Sequence, residues 1–462
     1  MLKQFARRMG MQELETRPAA EVRMVFLMLG MFVFLNADIM LLTPSVKLVM
    51  AEFHKNEAEV GLISSIFIVL GAAVALLWGY LTDRYPRKGL AFWTIIFGEL
   101  PCLLTGYVHS YNQLLVVRAL TGIGVGGIVP LIYSMIGDLV TQRERATAAA
   151  WIGLAEGLGM GIGTVLAGNL AESSFSFLGA SGWRLPFVLA ALPNFLLAPI
   201  FWFACQEPAR GGGEKAIQKE LNQGLKYTHR IKLSDYRLIF RNRTNLYFFY
   251  QSIPGTIGWG VLLFWMVTFY TMDKHVSIAM ATNLFLLVGV GMILGGFFGG
   301  IIGDRLHRRS KKYMPLLCGY TTLAGLVLFL AMIHYPVPDH PTAFDLAGPL
   351  LIGVIGGFFI TVTSSNIRAI VLNVNPPENR GAMMSLFTLT DSIGKGVGPY
   401  LGGLLIVASG YILTMDLATL CWIPCALIFL FLLTPQYPRD AAGLDQLMAE
   451  RAREMEKGRS AI

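Results

Sequence analysis

Two ionised side chains stand inside apolar runs, where charge is costly: Asp38 in the run 24–50 and Arg118 in the run 113–140. Insertion scales put a charge at a bilayer centre at roughly 2.5–3.5 kcal/mol, so it faces a cavity or a partner. If both runs are helices, Asp38 lies about 14 residues in from one side, ~21 Å at 1.5 Å per residue. Arg118 lies about six residues in from the other side, ~9 Å down and so again ~21 Å up. The equal depths predict that Asp38 and Arg118 face each other or share a substrate. Such a pair can switch. With Asp38 ionised the arginine is neutralised; a proton on Asp38 frees the guanidinium for an anionic headgroup. The alternative is a purely structural Asp–Arg pair.

Further charges lie at depth. Glu156 is near mid-membrane in the run 146–170, as a second proton-coupling or substrate candidate. Asp391 and Lys395, at i and i+4 in the run 380–408, can pair on one helix face and either line a cavity or serve structure. Glu99, in the run 89–109, is a second proton site or simply hydrogen-bonded. The run 244–272 is dense in aromatics (Phe248, Phe249, Tyr250, Trp259, Phe264, Trp265, Phe269 and Tyr270). Of these, Tyr250, Trp259 and Phe264 are cavity candidates for an acyl chain, the other reading being a lipid-facing surface with interfacial rings. Enzyme chemistry finds little support. The seven histidines (His54, His109, His229, His275, His307, His334 and His340) are in or near loops, without a His-Glu-x-x-His pattern. No phosphate-loop motif is present, which argues against a nucleotide-driven pump. The five cysteines show neither disulfide nor zinc spacing, so no metal or cofactor is expected beyond protons as coupling ion.

The elements that must hold these charges are membrane helices. Hydrophobic residues make up 54% of the 462 and charged ones 14%, against about 25% charged in a soluble domain. The mean hydropathy is +0.57. Twelve apolar runs reach the roughly 20 residues that cross a bilayer core: 24–50, 58–82, 89–109, 113–140, 146–170, 184–204, 244–272, 279–303, 313–334, 346–373, 380–408 and 411–434. Backbone polar groups in hydrocarbon must be satisfied within the segment, which makes these runs helices. The first is too long for a cleaved signal peptide and lacks an obvious cleavage site. The net charge of +8 is a topology signal, not a nucleic-acid footprint. About 30 of the 37 Lys+Arg fall in the tails and even-numbered loops, which predicts cytoplasmic termini.

The long polar connection 205–243, with Gly211-Gly212-Gly213, divides the chain into an N-terminal six-helix bundle (1–204) and a C-terminal one (244–434), followed by a tail, 435–462. Residues 214–226 could form a surface amphipathic helix, and 441–457 a charged, solvated one. The halves repeat. Gly79-Tyr80-Leu81-Thr82-Asp83-Arg84-Tyr85-Pro86-Arg87-Lys88 matches Gly300-Ile301-Ile302-Gly303-Asp304-Arg305-Leu306-His307-Arg308-Arg309. Arg145, Glu156, Gly159, Gly161, Gly163 and Gly168 fall opposite Arg380, Asp391, Gly394, Gly396, Gly398 and Gly403, each pair 235 positions apart as 145 is from 380. Arg118 falls opposite Gly353, so its charge is not part of the repeated scaffold. The glycine stripes, with Gly295, Gly299 and Gly300, predict close helix packing.

The doubled Gly-x-x-x-Asp-Arg-x-x-Arg-Arg/Lys loop resembles the signature of the major facilitator superfamily. That implies an all-α membrane protein of twelve transmembrane helices in two pseudo-symmetric bundles, rocking around a central cavity lined by the first and fourth helices among others. Gly79, Asp83, Arg84, Arg87, Gly300, Asp304, Arg305 and Arg308 would then be gating residues. More narrowly, Asp38, Arg118-Ala119-Leu120-Thr121-Gly122-Ile123-Gly124, Gly182-Trp183-Arg184 and Glu207-Pro208-Ala209-Arg210-Gly211 resemble the spinster family, whose members move sphingosine-1-phosphate and lysophospholipids. Ala209 stands where the family usually has a second proline. The resemblance implies a multi-pass inner-membrane transporter, a monomer among membrane lipids with no nucleic-acid partner. It would carry a lysolipid or sphingosine-1-phosphate-like amphiphile by proton-coupled alternating access, with Arg118 and Asp38 at the headgroup. The rival readings are proton-coupled transport of a small hydrophilic organic anion, a membrane-embedded lipid enzyme, and a receptor or channel.

Overall fold

The computed structural model describes residues 18–139, 145–206 and 239–459, with positions 4, 11 and 14; side chains at 83, 137–138, 145–146, 377–382, 385 and 448–459 lie outside that set. The predicted helix 214–226, most of the central connection and the Glu207–Gly211 motif therefore fall outside the described residues. Helices form where apolar runs were predicted. They are α1 (Ala19–Phe53), α2 (Glu57–Arg84), α3 (Arg87–Thr105), α4 (Tyr111–Leu139), α5 (Arg145–Leu170) and α6 (Leu185–Ala204). After the central connection come α7 (Arg243–Met272), α8 (Ile278–Arg309), α9 (Tyr313–Ile333), α10 (Ala347–Val374), α11 (Pro377–Ser409) and α12 (Tyr411–Leu447). Eleven described helices are long and apolar enough to cross a membrane, and α11 is a further long helix of 33 residues.

Helix ends follow from local chemistry. Asn56 caps α2 by accepting from the Glu59 amide at 2.9 Å while Glu59 accepts from the Asn56 amide at 3.1 Å, a reciprocal capping box. Glu57 and Glu59 in the first turn and Arg84 in the last match the helix dipole. The α2–α3 turn ends at Pro86, whose fixed φ suits the residue before a helix start. Between α5 and α6, Leu178 and Gly179 take positive φ in a two-residue hairpin joining Ser176–Phe177 to Ala180–Ser181.

The chain groups into two compact units, one holding α1 to α6 and the other α7 with most of α8 to α12. In the first, α1 packs on α5 and α6, α2 on α4, and α3 on α4 and α6. In the second, α7 packs on α11 and α9 on α10. The glycine stripes make these approaches possible. A side chain at Gly163 would strike the Ala37 carbonyl of α1, and one at Gly398 would strike Gly260 of α7. The offset pairing read in the sequence thus has a packing counterpart inside each unit, α5 on α1 and α11 on α7.

The predicted tail helix 441–457 is helical and continuous with α12, and its side chains at 442, 443 and 445–447 are exposed. The helical path of α12 widens to π turns over Ile428–Leu433 and continues as Thr434–Arg459. Its first part docks on its own unit. Asp440 accepts from the Thr244 amide and hydroxyl at the start of α7, at 3.0 and 2.7 Å, and Lys311 pairs with Asp445 at 2.6 Å.

Candidate functional site

Asp38 sits where α1 breaks. The run was predicted as one helix, but its regular part ends at Met40 and resumes at Val46 after the 3-10 turn Thr43–Ser45. Pro44 has no N–H to donate into an α-helical ladder, and the last four carbonyls of a helix lack intrahelical partners. The Asp38 carbonyl is one of those four. Arg118 satisfies it, with Nη2 donating to the Asp38 main-chain oxygen at 2.9 Å.

The seat of Arg118 is built by glycine. Gly122, one turn further along α4, lies so close to the Phe67 carbonyl of α2 that a Cβ could not fit. This approach brings the guanidinium over the Phe67 ring, 4.4 Å from its centroid, with Phe187 of α6 at 5.4 Å. Both distances suit cation–π contact. Arg118 is 1% exposed, and its Nε and Nη1 have no hydrogen-bond partner among the described residues.

The Asp38 carboxylate points into a polar cluster between α1, α3 and α6. The Cys102 thiol donates to Oδ1 at 2.7 Å. Glu99, one turn before Cys102 on α3, accepts through Oε1 from the Asn194 amide of α6, which also donates to the Met31 carbonyl at 3.0 Å. Asp38, Glu99, Cys102 and Asn194 are completely buried. Asp38 Oδ2, Glu99 Oε2 and Asn194 Oδ1 have no hydrogen-bond partner among the described residues. Asp38, Glu99 and Cys102 offer ligand atoms within 4.8 Å of one another, close enough for a metal ion by distance alone. The fixed positive charge of Arg118 beside them opposes a resident divalent cation.

The structure therefore brings Asp38 and Arg118 together, through a main-chain carbonyl in place of a carboxylate–guanidinium fork. It also joins to them Glu99, read in the sequence as a second proton site or simply hydrogen-bonded, and Cys102 and Asn194, to which sequence gave no role. Glu156 is exposed on α5. Lys395 pairs with Asp391 at 2.7 Å along one face of α11, both partly exposed. The aromatic row of α7 divides by burial. Tyr250 is exposed, Phe264 is interior against Trp265 at 5.0 Å, and Trp259 leans on Trp422 at 5.3 Å. Trp259 also lines a small apolar hollow with Leu263, Met266, Phe285, Met292 and Met332.

The two loop signatures differ in setting. Gly79 has open space around it and Arg84 is exposed, with Nη1 donating to the Tyr80 hydroxyl at 2.7 Å. Arg87 is buried and donates to Ser134 Oγ of α4 at 3.0 Å. The Asp83 side chain, like those of Arg145 and Arg380, lies outside the described residues. In the second copy Gly300 lies near Ser365 of α10, while Asp304, Arg305 and Arg308 are exposed on the last turns of α8.

The family model of the Major Facilitator Superfamily matches residues 27–363 and 343–454. A cis,cis-muconate transport protein of Acinetobacter baylyi is 27% identical over 312 residues, 66% of this chain and 70% of that protein. The sphingosine-1-phosphate transporter SPNS2 of Danio rerio is 23% identical over 369 residues, 77% of this chain and 70% of that one. Among solved structures, a bacterial homolog of the human lysosomal transporter Spinster superposes with a TM-score of 0.78 at 18% identity, covering 92% of this chain and 99% of the other. The relatives named are transporters, and with the family match the enzyme reading is set aside.

Proposed function

This chain belongs to the major facilitator superfamily, and from that premise we propose that it is a secondary transporter of a lysolipid-like anionic amphiphile, driven by a proton at Asp38 and holding the headgroup at Arg118. One observation carries the reading: a fully buried guanidinium with two unused donors, beside a carboxylate that it does not bind directly. An unpaired buried charge of this kind is expensive and is kept where it has work to do. Two free N–H groups on one planar fork match a phosphate or carboxylate headgroup.

The cycle follows from electrostatics. With Asp38 ionised, its charge holds Arg118 on α1. When Asp38 takes a proton the attraction is lost, and the guanidinium turns its free donors to an incoming anion. Return of the proton to solution restores the resting pair and expels the anion. Alternating access carries the loaded site from one face to the other. Both termini lie in the cytoplasm on the weight of the basic loops. The exposed Glu156 and the Asp391–Lys395 pair are secondary candidates for proton or substrate contact, with Tyr250, Trp259 and Phe264 for the apolar chain. The two loop signatures, Gly79 to Arg87 and Gly300 to Arg308, act as gates.

The lipid reading is favoured by the likeness to the sphingosine-1-phosphate transporter and by the aromatic content of α7. The likeness to the muconate transporter favours a second reading, a small organic anion at the same arginine. Both are tested in liposomes containing the purified protein. Labelled sphingosine-1-phosphate, lysophosphatidylcholine and cis,cis-muconate are followed with and without a pH gradient. Gradient-driven movement of a lysolipid, lost in Arg118→Ala, is expected. Movement of muconate alone would transfer the assignment to the second reading, and movement of none by folded protein would remove both.

A further inference from the structure

The cluster at Asp38 holds more acid than its cation can balance. Two carboxylates, Asp38 and Glu99, share a site with no exposed surface, with an oxygen of one within 4.8 Å of an oxygen of the other. Among the described groups that face it, Arg118 of α4 is the one cation, and it reaches Asp38 on α1. Glu99 meets Cys102 on its own helix, the neutral Asn194 from α6 and the acidic Asp38 from α1. Like charges this close, shut away from water, are not both ionised, and one guanidinium neutralises only one of them. Electroneutrality leaves one proton to be held, and the carboxyl without a cation is its place.

We propose that Glu99 is a second proton-carrying group of the transport site, holding a proton while Asp38 is ionised and exchanging it with Asp38 when Arg118 turns to substrate. This rests on the coupling role of Asp38 proposed above. The hydrogen bonds fit such an exchange. The Cys102 thiol occupies Asp38 Oδ1 and the Asn194 amide occupies Glu99 Oε1, which leaves one free oxygen on each carboxyl, Oδ2 and Oε2. The proton leaves a Glu99 oxygen and arrives on an Asp38 oxygen. Glu99 becomes the carboxylate and is reprotonated from solution while the substrate is bound, so that binding takes up a proton. Asn194 is a positioning residue, tethering the Glu99 carboxyl to α6 and, through Met31, to α1. The site so built holds two exchangeable protons, and their titrations are coupled.

Infrared spectroscopy of the purified full-length protein tests this, because the C=O stretch of a protonated carboxyl is separate from carboxylate bands. At neutral pH, wild type should show a buried carboxylic-acid band that Glu99→Gln loses. Addition of sphingosine-1-phosphate should shift that band in wild type and leave it unmoved in Arg118→Ala. A band of equal strength in wild type and Glu99→Gln overturns the proposal, as does a Glu99 band blind to substrate in a protein that binds it. If Glu99→Gln does not fold, Asn194→Ala takes its place. It keeps the carboxyl and removes its donor, so the band should move to higher frequency, and an unmoved band is contrary. Proteoliposome transport by Asp38→Asn separates the two readings. An undiminished pH response there sinks the coupling role of Asp38. Loss of that response with an unchanged band in Glu99→Gln sinks only the role of Glu99.

Discussion

Two carboxylate–arginine pairs among the described residues of the first unit differ in almost every physical respect. At one end of the unit, Arg184 grips Glu52 as a fork, Nη1 to Oε2 at 2.7 Å and Nη2 to Oε1 at 2.6 Å. The Trp183 indole adds a third donor to the same carboxylate at 2.7 Å, and the remaining reach of Arg184 goes to the Val108 carbonyl at 2.8 Å. Both side chains keep some contact with solvent. At Asp38 and Arg118 nothing is matched in this way. The guanidinium meets a main-chain oxygen, the carboxylate meets a thiol, and donors and acceptors are left over in a site without solvent. A satisfied pair at the rim is a fastener, tying α1, the α3–α4 turn and the start of α6. A mismatched pair in the interior is costly to keep, and its leftover valences are the ones a substrate and a proton can use.

The largest expected effect is at Arg118. Removing one partner of a buried charged contact costs about 2–5 kcal/mol, roughly 30-fold to several thousand-fold in affinity. Arg118→Ala should abolish concentrative uptake in liposomes, and Arg118→Lys should recover only part of it, since a point charge lacks the fork. Full activity in the lysine variant would reduce the site to simple charge. Next comes Asp38→Asn, which should leave downhill exchange of substrate measurable while removing the response to a pH gradient. A third effect is on packing. Gly163→Val pushes a branched side chain into the Ala37 carbonyl and should cost about 1–3 kcal/mol, seen as a lower unfolding temperature in detergent. The rim pair is worth less. Glu52→Gln should lower stability by about 1 kcal/mol or less and leave flux within about twofold of wild type. A larger loss of flux than in Asp38→Asn would invert the comparison.

The smallest effect is expected at a carboxylate outside the spans. Asp345 accepts from the Thr342 hydroxyl and amide at 2.6 and 2.8 Å, and these bonds hold its carboxyl below the usual range. Its folded value is depressed, so any stabilisation is present above the unfolded value and fades as pH falls through the folded one. Asp345→Asn should therefore leave transport unchanged, with only local hydrogen exchange in the 342–345 turn rising at neutral pH.

Much of this was legible because membrane helices obey a strict depth rule. Counting rise per residue put Asp38 and Arg118 at one level, and the glycine offset pointed to packing surfaces that the structure supplies. Other features depend on helix rotation, which periodicity does not reveal when a helix is apolar on most sides. Glu99, Cys102 and Asn194 converge because α3 and α6 turn those faces inward, and no spacing between positions 99, 102 and 194 announces it. The break in α1 did carry a signal, the Thr43-Pro44 pair. Read as a helix end, it exposes the Asp38 carbonyl and explains why Arg118 binds backbone there. The α7 aromatics show the opposite limit, since composition made them a wall or a lipid face and several are interior.

The most direct test of coupling at this site is proton uptake on substrate binding. Calorimetric titration of the purified protein with sphingosine-1-phosphate, in two buffers of different ionisation enthalpy, counts the protons taken up per ligand bound. The account predicts net uptake in wild type and its loss in Asp38→Asn, which still binds through Arg118. Equal uptake in both proteins would place the coupling proton elsewhere and contradict it.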